Sequence, residues 1–144
     1  MKGQVSTELL IIVGVVLLIF IPMLILVYVK TGDANNDIAS YQAELAVTRL
    51  AYLADSVGSL GSNASVNADI YIPPSVTSIT TRTVGRGGEV VFTVQTPAGE
   101  SEIAEVVKYP IKNPAVYPVS AGWARFDITS SYVNGEASLI IGKE

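Results

Sequence analysis

Cysteine and histidine are both missing from these 144 residues. Without cysteine there is no disulfide framework and no thiolate–metal site. Without histidine the commonest general base, the commonest metal ligand and every Ser-His or Cys-His nucleophile pair are excluded. Positive charge is scarce as well: 9 Lys and Arg stand against 13 Asp and Glu. Beyond position 30 the balance is 7 basic to 12 acidic, with no basic cluster, which argues against a nucleic-acid surface. No motif arranges the remaining carboxylates and lysines for catalysis. The composition therefore points away from an enzyme, and calls for no cofactor and no metal.

Apolar side chains are what the chain has in excess, 49% of the total. They are concentrated near the N-terminus, where Leu9 to Val29 is a run of 21 residues without a charge. As a helix the run is roughly 31 Å long, enough for a hydrocarbon core of about 30 Å. Pro22 inside it removes one backbone hydrogen bond and favours a kink, which membrane helices tolerate. Glu8 lies at the edge of the run. A carboxylate drawn to mid-bilayer costs roughly 2.5–3.5 kcal/mol, and less at the interface. Ser6 and Glu8 also suit a simple helix start.

Lys2-Gly3, then Gln4-Val5-Ser6-Thr7-Glu8, then a spanning run: this order resembles the archaeal class III signal peptide of the type IV pilin and archaellin superfamily. An ordinary secretory signal has a shorter apolar stretch and a small-x-small site after it. The resemblance implies that a prepilin-type signal peptidase cuts between Gly3 and Gln4, leaving the apolar helix in the mature chain. It implies that Glu8 guides assembly, paired with the new amino group of Gln4 on a neighbouring copy. It also implies a cell-membrane precursor with its N-terminus inside, an extracellular surface filament when mature, and related pilins or copies of itself as partners. The function expected is that of a structural subunit of a pilus-like filament. A minor pilin or adhesin binding a surface ligand, and a single-pass ectodomain that never polymerises, remain as alternatives.

The expected organisation is a cleaved leader at 1–3, a transmembrane or filament-core helix at 4–30, an amphipathic helix at 31–61 and a β-rich extracellular domain at 62–144. Thr31-Gly32-Asp33-Ala34-Asn35-Asn36-Asp37 carries residues that bend or interrupt helices, with Asp33 or Asn35 able to cap a restart. The Asp/Asn cluster lacks the glycine turn and terminal glutamate of a calcium loop. Between 34 and 60 the helical period puts Asp37, Ser40, Glu44, Thr48, Ala51 and Asp55 on one narrow face. Ile38, Tyr41, Leu45, Val47, Leu50, Tyr52, Leu53, Val57 and Leu60 occupy more than half the circumference, broken by Gln42 and Arg49. One small domain needs a stripe of little over about 100°. Either this helix is deeply clasped by its domain, or one flank serves the domain and the other, with Leu50 in it, serves neighbouring subunits.

Beyond Ser56–Ser65, rich in Gly, Ser and Asn, the period changes to two. Strands are expected at 66–72, 76–84, 89–96, 102–108, 122–129 and 137–141. Turns are expected at Gly85-Arg86-Gly87-Gly88, Pro97-Ala98-Gly99-Glu100 and Asn134-Gly135. In the fifth strand either Trp123 or the pair Phe126 and Ile128 faces inward. The glycine-rich turn is no phosphate loop, having no Lys-Ser/Thr and opening a strand. Lys108 to Pro118, with two Tyr-Pro pairs, is expected as an extended loop covering a sheet edge. Asn63-Ala64-Ser65 is the one complete N-glycosylation sequon. The fold class expected is α+β, a long N-terminal helix followed by a small antiparallel sheet or sandwich.

Overall fold

A computed structural model describes residues 2–133 and 135–144. One helix, α1 (Lys2–Ser59), precedes seven strands: β1 (Ser65–Ile72), β2 (Val76–Val84), β3 (Gly87–Thr96), β4 (Gly99–Val107), β5 (Ala115–Pro118), β6 (Gly122–Val133) and β7 (Glu136–Lys143). The fold is α+β with antiparallel sheets, as the change of period predicts. The chain forms two compact units, Met1–Asp37 and Ile38–Glu144.

The first unit is helical throughout its described residues, and its side chains from Ser6 to Asp37 are exposed. The predicted interruption at 31–37 does not occur. Thr31 Oγ1 donates to the Val27 carbonyl at 2.8 Å, and Lys30 pairs with Asp33 across one turn at 3.7 Å. Polar residues there satisfy themselves along the helix instead of ending it.

In the second unit β1, β6 and β7 form one sheet in the order β1-β6-β7, and the other runs β4-β3-β2-β5. Their inner faces and one stripe of α1 share a core containing Ile70, Ile72, Ile79, Phe92, Phe126, Ile128, Leu139 and Ile141. Phe126 and Ile128 therefore settle the phase of β6, and Trp123 faces out. The β6–β7 pairing reaches Val133↔Glu136. Of the predicted turn there, Gly135 has a positive φ and Asn134 lies outside the described residues. Likewise β3 and β4 pair up to Thr96↔Gly99, so that turn has only Pro97 and Ala98 between the strands.

Two glycines expected in a turn belong to β3. The β2–β3 pairing closes at Val84↔Gly87, leaving Gly85 and Arg86 as the turn, with Gly85 at φ 61°. A Cβ on Gly87 would lie 2.6 Å from the Val107 carbonyl oxygen, and one on Gly88 2.6 Å from Ile111 Cγ1. These glycines serve close packing.

Residues 110–118 do more than cover an edge. Lys112 donates its N–H to Leu139 O at 2.7 Å, and Leu139 donates to Pro110 O at 2.8 Å. The Asn113 side chain brackets Ile141, giving Nδ2 to its carbonyl at 2.8 Å and accepting its N–H at 3.0 Å. The segment then enters the other sheet as β5, paired with β2. It is a strap shared by both sheets, a seventh strand where six were expected.

Gly58 meets the strap. A Cβ there would overlap the ring of Tyr109. Overpacking of this kind typically costs about 1–3 kcal/mol. Gly58→Val is expected to destabilise the second unit by that much, seen as a lower thermal midpoint of the full chain by circular dichroism in detergent. An unchanged midpoint would show that the Tyr109 ring moves aside freely.

Candidate functional site: the exposed apolar helix

Gly3, Gln4 and Glu8 all lie in the first two turns of α1. The Glu8 carboxylate is exposed and stands directly before the apolar run. From Leu9 to Val29 no side chain is buried, and α1 is long and apolar enough to cross a membrane. Among the described residues of this unit nothing buries them. Helices with apolar side chains on every face belong in lipid or in the core of a larger assembly.

The second unit has a related surplus. Between 38 and 59 the buried stripe consists of Ala43, Ala46, Val47, Leu50, Ala51, Ala54 and Val57. Four alanines in it let the helix lie close on the sheets. The opposite face carries Ile38, Tyr41, Leu45 and Tyr52, exposed by 53%, 65%, 71% and 71%. At about 100° per residue the two stripes are centred about 180° apart. The helix gives one flank to its own domain and leaves the other bare. The expected faces need correction in two respects. Leu50, at first sight a member of the free flank, is wholly buried. The narrow polar face borders the sheet: Thr48 Oγ1 donates to Glu105 at 3.2 Å, and Asp55 accepts the Lys108 N–H at 2.7 Å.

A third exposed group occupies the outer face of the β1–β6 pair, where Tyr71 lies opposite Trp123 and Asp69 opposite Arg125. The two rings meet edge-on, with centroids 5.6 Å apart. Arg125 Nε donates to Asp69 at 2.9 Å. That hydrogen bond holds the Asp69 carboxyl below its usual range, against the opposing effect of desolvation, and raises the guanidinium. Both groups are exposed, so the pair orients side chains more than it stabilises the fold. Sequence reasoning left this cluster unassigned. Its signal was the alternation of β6: once Phe126 and Ile128 are inward, Trp123 and Arg125 must be outward.

Gly3, Gln4 and Glu8 belong to the first unit, and Asn63 to the second. It is exposed in the turn before β1, at φ 64°, a left-handed conformation that asparagine tolerates. Its N–H donates to Ser130 O at 3.1 Å, so the backbone is fixed while the amide faces solvent. Ser65 of the sequon donates its hydroxyl to Asp127 at 3.0 Å.

No protein-family model matches this chain, and neither does any curated protein or solved structure.

Proposed function

We propose that this chain is a structural subunit of a type IV pilus-like surface filament, exported through a class III signal and anchored in the membrane as a precursor. The observation that carries the reading is the double surplus on α1: a bare apolar run, and a bare apolar flank opposite the one its domain uses. A lone membrane anchor accounts for the run but not for the flank. A filament accounts for both. In it the run leaves lipid for a bundle of like helices, a transfer nearly balanced in hydrophobic energy, so packing and a contact at Glu8 can decide. The flank is then covered by neighbouring copies.

Mass spectrometry of the native protein tests the export route. The mature chain is expected to begin at Gln4, free or cyclised, and Gly3→Trp is expected to leave the precursor uncut in the membrane. A mature chain starting at Met1, or beyond Val29, would remove the signal and the proposal with it. The same spectra read glycan occupancy at Asn63, which its exposure permits.

A further inference from the structure

The two sheets have four edges, and they are not equally defended. The β7 edge is sealed by residues 110–113 of the strap. The β5 edge is four residues long, with Pro114 before it and Pro118 at its end. The β4 edge carries exposed Glu100 and Glu102. Short length, proline and charge are the devices that discourage strand addition. β1 has none of them except Asp69, whose charge Arg125 already meets. Its eight residues pair with β6 on one side only.

The phase of the free side follows from the pairing. Ser130 donates to Ala64 O at 2.8 Å, so position 64 faces β6. In an antiparallel pair the hydrogen-bonding direction alternates. Positions 66, 68, 70 and 72 therefore face β6, and the N–H and C=O groups of Asn67, Asp69 and Tyr71 point away from it. Among the described residues no hydrogen bond engages them.

This free edge forms one wall of a groove, and α1 forms the other. One cavity of about 780 Å³ lies along Asn67 and Asp69, against Arg49 and Leu53 of the helix, with Trp123 and Arg125 at its rim. A second, of about 200 Å³, lies beside Ile70 and Tyr71 and is lined by Gln42, Leu45, Ala46 and again Arg49. Successive same-face side chains of a strand stand about 6.6 Å apart. The two cavities follow one another along the edge strand, one beside residues 66–69 and the next beside 70 and 71. Arg49, common to both, is exposed and has no ion-pair partner among the described residues. Strand addition takes affinity from main-chain hydrogen bonds and specificity from pockets for alternate side chains.

We infer that the β1 edge is a docking site for an extended segment of another protein, added as a fourth strand and carrying a carboxylate for Arg49 beside an apolar side chain for the smaller cavity. Of the flank given above to neighbouring copies the site uses only Leu45, at the smaller cavity, so the free edge and the larger cavity stand whether or not filaments form.

Trp123 is the only tryptophan of the chain and lines the larger cavity, so its emission reports occupancy. The probe is the blocked peptide Thr-Val-Thr-Glu-Thr-Val-Thr, which presents the same side chains in either strand direction. Added to the full chain in detergent, it is expected to change Trp123 emission saturably. Its Lys-for-Glu counterpart is expected to bind at least about tenfold more weakly, about 1.4 kcal/mol. Arg49→Glu is expected to reverse that preference. Asn67→Pro removes an N–H from the free side alone and is expected to weaken both peptides at least tenfold. Should that variant misfold, the Arg49 reversal still decides. The inference is overturned if neither peptide changes the emission, or if both bind equally and Arg49→Glu alters nothing. It is also overturned if the emission follows protein concentration instead of peptide, which would make the groove a contact between copies of this chain.

Discussion

Replacing Glu8 by alanine is expected to abolish surface filaments while leaving cleavage and membrane insertion intact. The first turns of α1 offer one carboxylate beside an apolar run whose side chains are all exposed. Inside a helical bundle that carboxylate must meet a positive or hydrogen-bonding partner. The proposed one is the Gln4 amino group of the next copy, or a donor group if Gln4 has cyclised and lost its charge. Removing one member of a buried pair costs about 3–5 kcal/mol. Repeated at each added subunit, a loss of that size shortens filaments below detection. Gln in place of Glu keeps a polar atom there and is expected to reduce filaments less than Ala does. Electron microscopy of sheared surface material is the measurement, with membrane protein levels as the control. Normal filaments from Glu8→Ala would remove the role given to this carboxylate. A wild-type protein that stays monomeric in the membrane under all conditions would remove the filament.

A lysine at position 45 and one at position 50 are expected to fail in different ways. Leu50 is fully buried against the sheets. An uncompensated charge there belongs to the short list of substitutions costing about 4–5 kcal/mol or more. Against a typical total stability of about 5–15 kcal/mol that removes about a third of it at the upper end and nearly all of it at the lower. Leu45 is mostly exposed, and a surface change of this type usually stays within about 0.5 kcal/mol. Leu45→Lys is therefore expected to keep the thermal midpoint of the wild-type chain and lose filaments. Leu50→Lys is expected to fail at the fold itself, with a sharply lowered midpoint. Filaments from Leu45→Lys at wild-type levels would show that the bare flank is not covered by neighbours.

The contrast between these two leucines shows what the sequence can and cannot reveal. The period of apolar residues announced that α1 has more greasy surface than one domain needs. It could not say which leucine goes where, because the side facing the sheets is marked by small residues. Ala43, Ala46, Ala51 and Ala54 set that side, and alanine carries little weight in a hydropathy pattern. The strands were legible because their inner residues alternate strictly, as in Ala68, Ile70 and Ile72. The continuity of α1 through 31–37 was not legible. Gly32 costs a helix about 1 kcal/mol and Asn35 up to about 0.7 kcal/mol, which neighbouring turns override. The β1 groove was hidden for another reason: an open edge depends on which strands are absent beside it, and no local pattern records an absence. The carboxylate at Glu8, by contrast, stood out from the first reading because a charge beside 21 apolar residues is conspicuous in one dimension.

The strap at 110–118 has a consequence for how the domain comes apart. Neither sheet can lose it alone: freeing Pro110 to Asn113 uncovers Leu139 and Ile141 in one, and freeing Ala115 to Pro118 strips β2 in the other. Tyr117, a strand residue of the second sheet, donates its hydroxyl to Ile141 O of the first at 2.5 Å. Opening one layer thus drags on its neighbour, and amide protons deep in both layers should exchange with solvent at one common, slow rate. A domain built this way resists shear as a single block. It yields all at once or not at all.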